Sequence, residues 1–179
     1  MWRSTMELEA CCFTGHRIIP CSERSALGAL LDSHISRISG SGAKTFICGG
    51  ALGFDTMAAR AVLRARESDG DIRLCLALPY RGMERHMSAA DRKEFESILS
   101  AADGIVYTAE VYDRGCMLRR DRYMVDKSSI CVSYMTKNTG GTAYTVGYAL
   151  KKGLEVIFGR RYAEARLWLH APADPARRN

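Results

Sequence analysis

The chain has 179 residues, 47% of them hydrophobic and 26% charged, which suits one domain with a buried core and excludes a disordered or collagen-like chain. Its formal net charge of +6 favours an anionic ligand, but part of the excess sits in the terminal ARRN, and the balance alone does not mark a nucleic-acid binder. No apolar run approaches the ~20 residues that cross a bilayer, and MWRSTMELEA lacks the apolar stretch of a signal peptide, so a cytoplasmic location without a membrane partner is expected.

In chain order, the first strand is predicted over 8–13, LEACCF. Residues 22–39 follow as a helix with Leu27, Leu30, Leu31, His34, Ile35 and Ile38 on one face, which gives His34 a packing role and no other. SGSGAKT, 39–45, resembles the end of a phosphate-binding loop, but it leads into the second strand, KTFIC at 44–48, and reads as a turn. GGALGFD then opens a helix over 56–66. The third strand is IRLCLAL at 72–78, and SAAD, 88–91, has the form of a capping box before a helix that turns Phe95, Ile98 and Leu99 inward. GIVYT at 104–108 is the fourth strand. The charged segment 117–129 is a helix with Arg119 and Arg122 on one face and an Arg122–Asp126 pair one turn apart. SICVSYM at 129–135 is the fifth strand. A helix over 143–152 buries Val146, Ala149 and Leu150 and closes on KKG, with Gly153 at its C-cap, before the sixth strand at 154–158. An amphipathic piece over Ala163–Leu169, carrying Trp168, precedes a polar tail that frays.

Most of these strand segments are nearly continuous apolar runs, as in a parallel sheet covered on both faces. Their alternation with helices predicts an α/β fold, a Rossmann-like, doubly wound, mostly parallel sheet with helices on both faces. No repeat or linker divides the chain, so a single domain over 1–179 is expected, with its core at about 8–158. Seven cysteines without a CxxC pair argue against a disulfide framework or a zinc site. Cys11, Cys12, Cys48, Cys75 and Cys131 read as small core hydrophobes, whereas Cys21 and Cys116 lie in less apolar stretches.

Ligands of open parallel sheets bind beyond the carboxyl ends of the strands. Four predicted loops lie there: Thr14–Arg17, GGALGFD, Pro79–Gly82 and Thr136–Thr142. Two lead straight into helices, where free N–H groups and glycines accept a phosphate. Gly49, Gly50 and Gly53 supply that setting on one, and Gly140, Gly141 and Thr142 on the other. Tight turns without a ligand are the alternative for each. Asp55 is either the N-cap of helix 56–66 or an acceptor for a ribose hydroxyl, and the two roles can coexist. His16, beside Gly15, either stacks on or hydrogen-bonds a ligand, or packs its loop. Arg17 and Arg81 are either anion partners or solvent-exposed cations. GxGxxG is absent.

TGHR, GGALGFDTMAARAVL, RRDRYMVDKSSICVSY and TGGTAYTVGYAL occur here in the order and spacing of the YpsA-like proteins of the SLOG superfamily, and the resemblance covers roughly residues 10–158. That superfamily includes the LOG phosphoribohydrolases and the DNA-processing protein DprA (Smf). The resemblance implies a nucleotide-type site at the glycine loops. GGALGFDTMAAR is similar to the DprA pattern SGxAxGID followed by AAAH, with Arg60 in place of the histidine, and RRDRYMV is similar to its arginine motif, with Asp121 in place of an asparagine. DprA binds single-stranded DNA, but this sequence lacks an obvious basic stripe with interleaved aromatics. The LOG enzymes carry PGGxGTxxE. Aligned on Gly141 and Thr142, that pattern places Thr145 at the glutamate, and a hydroxyl does not replace a carboxylate base.

The leading expectation is a protein that binds a nucleotide or nucleotide derivative, for sensing or signalling rather than turnover. Gly49, Gly50, Gly53, Gly140, Gly141 and Thr142 hold the phosphate, Arg17 and Arg120 supply charge, and Asp55 or Asn138 contacts ribose or base. Hydrolysis of a nucleoside 5′-monophosphate and single-stranded nucleic-acid binding are the alternatives. No cofactor or metal is expected, and a homo-oligomer is left open.

Overall fold

Six strands pair in parallel into one sheet in the computed structural model, which describes residues 10–158. They are β1 Ala10–Gly15, β2 Thr45–Cys48, β3 Arg73–Leu78, β4 Gly104–Tyr107, β5 Ile130–Tyr134 and β6 Glu155–Phe158, in the order β4-β3-β2-β1-β5-β6. Between them run α1 Cys21–Gly40, α2 Phe54–Ser68, α3 Ala89–Ala101, α4 Cys116–Asp126 and α5 Gly141–Lys151, with a 3-10 turn at Met83–His86. This is the Rossmann-like α/β fold that the apolar runs predict. Parallel pairing needs a crossover for every strand, and the helices supply it.

The helix boundaries have local causes. Pro20 precedes α1, where its missing N–H costs nothing. The Ser88 hydroxyl accepts from the Asp91 amide at 3.1 Å and caps α3, as SAAD predicts. Past α5, Gly153 takes φ +82°, and its amide donates to the Leu150 carbonyl at 3.0 Å.

Side chains of β1 alternate between two cores. Cys11 and Phe13 face the larger one, with Leu31 and Ile35 of α1, Phe54 and Val62 of α2, and Phe95 and Ile98 of α3. Ala10 and Cys12 face the smaller one, with Met124 and Val125 of α4 and Ala149 of α5. Each fully buried Leu, Ile or Phe contributes about 1.5–3 kcal/mol, so the larger core dominates stability. Cys11, Cys48 and Cys131 are buried in these cores, and burial raises the Cys11 and Cys48 thiols well above their ordinary range.

Some expectations are corrected. Leu150 is 40% exposed, because α5 turns Val146 and Ala149 to the sheet. Cys116 is buried at the start of α4, and Cys75 is only half-buried. Asp126 pairs with Lys152 at 2.8 Å rather than with Arg122, whose Nε donates to the Tyr144 hydroxyl at 2.6 Å. The expected piece over 163–169, the tail and the first two residues of the first predicted strand lie outside the described residues. Among the described residues no helix is long and apolar enough to cross a membrane.

Candidate functional site

With β4-β3-β2 on one side of β1 and β5-β6 on the other, the chain changes winding direction between β1 and β5. Loops leave these two strands in opposite directions and open a crevice at their carboxyl ends. A cavity of about 340 Å³ lies there. Phe13 and Met124 belong to its floor. Gly15, His16, Arg17, Asp55, Arg120, Gly140, Gly141 and Thr142 line it, all of them singled out by the sequence. Ala51, Met117, Asp121, Lys137 and Thr139 line it as well. All strands are parallel, so GGALGFD and TGGT share one edge of the sheet, as expected.

The glycine turn after β2 is filled by the protein itself. Gly53 takes φ +77°, and a Cβ there would strike the Arg17 backbone carbonyl. Gly50 takes φ +70°, and a Cβ there would strike the Leu78 side chain. At Gly49 the Arg120 guanidinium occupies that space and donates to the Gly49 carbonyl. The Phe54 amide at the start of α2 donates to the His16 carbonyl at 3.1 Å. What approaches this turn is therefore the loop after β1 and the arginine of α4, in the positions expected for a phosphate. Asp55 is not the N-cap of α2: Gly53 holds that position, and Asp55 lies inside the first turn. Its Oδ2 instead accepts from the amides of Gly49 at 3.0 Å and Ala51 at 3.4 Å and ties the turn to the helix.

The loop after β5 is different. Gly140 is the N-cap of α5 with φ +85°, and no side chain caps the helix. A Cβ at Gly140 or Gly141 would meet nothing within 4 Å. The first-turn amides have no partner inside the helix and carry positive partial charge toward the cavity wall. His16 holds this loop in place, since its Nε2 accepts from the Thr136 amide at 2.9 Å. That bond requires neutral imidazole, and burial together with nearby Lys137 lowers the His16 pKa from 6.5.

Charge in the cavity is mixed. Arg17 and Lys137 line it, and among the described residues neither pairs with a carboxylate. Arg120, 7% exposed, is committed to the protein: its Nε donates to Asp121 at 2.7 Å. Burial pushes the Asp55 carboxyl up to about 6, opposed by Arg120 and the two backbone amides. Among the described residues no group of three or more His, Cys, Asp or Glu is placed to hold a metal ion.

Other expected residues stand apart. Arg81 pairs with Glu110 at 2.9 Å and lies over the Tyr107 ring at 4.2 Å, away from the cavity. Asn138 is exposed and does not line the cavity, and neither do Gly49, Gly50 and Gly53. Lys137 and Thr139 escaped the sequence reading although they sit inside TKNTGGT; their place in a glycine loop was the available signal. On the outer face of α4 and α5, Arg122 and Tyr144 are joined by Tyr144–Tyr148 stacking at 6.3 Å to Lys152, whose Nζ lies 5.3 Å from the Tyr148 ring. This ladder of cations and aromatics is assembled from two helices and was invisible as a stripe in the sequence.

An all-parallel α/β sheet with a glycine-walled crevice at its switch point defines the class: a Rossmann-like protein with a crevice at the carboxyl edge of its sheet. The chain belongs to the YspA SLOG family, whose model, YpsA, matches residues 22–156. It is 30% identical over 114 residues to the UPF0398 protein BH1768 of Halalkalibacterium halodurans, a match spanning 62% of this chain and 60% of that relative. It is 27% identical over 118 residues to the uncharacterized SPbeta prophage-derived protein YoqJ of Bacillus subtilis, spanning 59% of this chain and 69% of that relative. Among solved structures it is similar to DNA processing protein A of Helicobacter pylori, described for its single-stranded DNA binding mode, with TM-score 0.61, 17% identity, and 87% of this chain and 67% of that one covered. DprA of Streptococcus pneumoniae gives TM-score 0.61 at 14% identity, covering 85% of this chain and 50% of that one. TM1055 gives 0.53 at 16% identity, covering 83% and 72%. At these identities the structural likenesses establish the fold.

Proposed function

We propose that this chain binds a nucleotide or nucleotide derivative by its phosphate, in a sensing or signalling role rather than for turnover. The observation that carries this reading is the uncapped N-terminus of α5, with empty space at Gly140 and Gly141, facing a cavity that also holds Arg17 and Lys137. Free amides, glycines and cations without a carboxylate partner among the described residues together favour a phosphate, and charge-assisted hydrogen bonds of this kind contribute about 1.5–3 kcal/mol each. The phosphate site is thus read at Gly140–Thr142 rather than at GGALGFD. Turnover is disfavoured because Thr145 is 1% exposed and spends its hydroxyl on the Gly141 carbonyl at 2.9 Å, leaving α5 without a carboxylate in the cavity. Mass spectrometry of ligand retained by the purified protein, followed by a thermal-shift panel of nucleotides, tests the reading. Stabilisation by a nucleotide, reproduced in calorimetric titration, is the expected result; a panel without any shift overturns it.

A second reading, single-stranded nucleic-acid binding, is favoured by the Arg122–Tyr144–Tyr148–Lys152 ladder and by the described activity of the H. pylori neighbour. Bases stack on such aromatics while cations track the backbone. Oligonucleotide affinity that falls steeply with salt, and falls further in Arg122→Ala and Lys152→Ala, distinguishes it from the first.

A further inference from the structure

A second cavity, of about 150 Å³, adjoins the first and shares Arg17, Ala51, Met117 and Arg120 with it. Its remaining wall is of another character. Leu52, Pro79, Tyr80, Met83 and Met87 bring it mostly apolar surface, with His86 at its polar edge. Tyr80 is only 8% exposed, and Met83 and Met87 pack against the larger core, so the slot is preformed. Tyr112, 63% exposed, meets Tyr80 edge-on with ring centroids 5.4 Å apart.

We propose that this slot takes the heteroaromatic base of the bound nucleotide, so that the ligand is recognised as a whole nucleotide and not as a phosphate or sugar phosphate. The inference rests on the phosphate site proposed at Gly140–Thr142. Residues common to the two cavities make them neighbours, so a ligand anchored at α5 that extends past Arg17 and Arg120 reaches the slot. A phosphate or a sugar has no use for three thioethers and a tyrosine ring. A planar base does: sulfur contacts aromatic edges favourably, and flexible methionines adapt to a flat ring. Stacking of this sort discriminates weakly between bases, because every base has a π-face. Recognition of the base edge falls to His86, at the polar side of the slot.

The test compares the four common nucleoside 5′-monophosphates with ribose 5-phosphate by calorimetric titration, and follows the methyl resonances of methionine-labelled protein. At least one nucleotide binds about tenfold or more tighter than ribose 5-phosphate. The Met83, Met87 and Met117 methyls take ring-current shifts with that nucleotide and not with ribose 5-phosphate. Met87→Trp, which fills the slot, erases the advantage of the nucleotide and leaves the affinity for ribose 5-phosphate. Should the tryptophan variant fail to melt cooperatively, the methyl shifts of the unsubstituted protein decide. Equal affinities with the same methyl pattern for both ligands overturn the slot and leave the phosphate site standing. Absence of binding by every probe overturns the phosphate site and the slot together.

Discussion

Gly141→Asp separates folding from binding more sharply than any other change in the crevice. Gly141 opens α5, its φ is not positive, and a Cβ there meets nothing within 4 Å, so an aspartate side chain fits without moving the backbone. A carboxylate in the first turn interacts favourably with the helix dipole, by about 0.3–1 kcal/mol, and replacing glycine adds a few tenths more. For a domain of this size about 1 kcal/mol raises Tm by about 2–4 °C. The same carboxylate stands where the phosphate is proposed. Two unit charges about 4 Å apart at an effective dielectric of about 20 repel by about 4 kcal/mol, and even half of that lowers affinity about thirtyfold. The expected outcome is a protein as stable as its parent or slightly more so, with nucleotide affinity reduced a hundredfold or beyond measurement. Gly141→Ala, with the same backbone and no charge, retains most of it. Scanning calorimetry and isothermal titration of the three proteins side by side make the comparison. Unchanged affinity in a well-folded Gly141→Asp protein would refute the assignment of α5 as the anion site.

Three further outcomes follow from the site. Burial holds Asp55 at about 6 against an ordinary 3.8, so the folded chain keeps a proton that the unfolded chain releases; the stability this group supplies is present near pH 4 and lost by pH 7, and Asp55→Asn gains about 3 kcal/mol relative to its parent over that range. Urea melts at several pH values measure the difference, and a difference independent of pH would remove buried Asp55 as its source. Because the His16 pKa is lowered and its Nε2 accepts from the Thr136 amide, the tie survives into the pH range where an ordinary histidine is charged, and only stronger acidification protonates His16 and releases the loop; His16→Ala produces the same rise in hydrogen exchange over 136–142 at neutral pH, and an exchange pattern identical to the parent's refutes the tie. Gly53→Ala forces a methyl group against the Arg17 carbonyl at φ +77° and costs about 1–3 kcal/mol or more, read as a fall in Tm; an unchanged Tm contradicts the packing role of that glycine.

The strands and helices were legible because apolar runs bounded by glycine and capping residues record them directly, as SAAD does for α3. The rim was legible too: His16, Arg17 and Gly140–Thr142 meet in one cavity because parallel strands bring every βα loop to one edge, and Arg120 reaches it from α4. What sequence spacing does not contain is which neighbour fills the space beside a glycine. GGALGFD and TGGT look alike as strings, yet one is packed by Leu78 and the Arg17 backbone and the other is open. The direction of a side chain is equally hidden. Asp55 stands one residue inside the helix it was expected to cap, and so reaches back to Gly49 and Ala51. The methionine slot joins residues 52, 79–87 and 117, which share no periodicity and meet only through the fold.

The contrast between those two glycine loops has a consequence for how such a molecule changes over generations. GGALGFD is wedged between β1, α4 and the core, so most replacements there are paid for in stability. Residues 137–141 are all exposed, and the two glycines among them border open space. Apart from Gly140, whose φ of +85° keeps that position for glycine, a handful of substitutions in this rim can alter the charge, size and hydrogen-bonding of the pocket while the folding free energy hardly moves. The architecture therefore separates what must persist from what is free to vary, and a lineage built on it can reshape the crevice without passing through an unfolded ancestor.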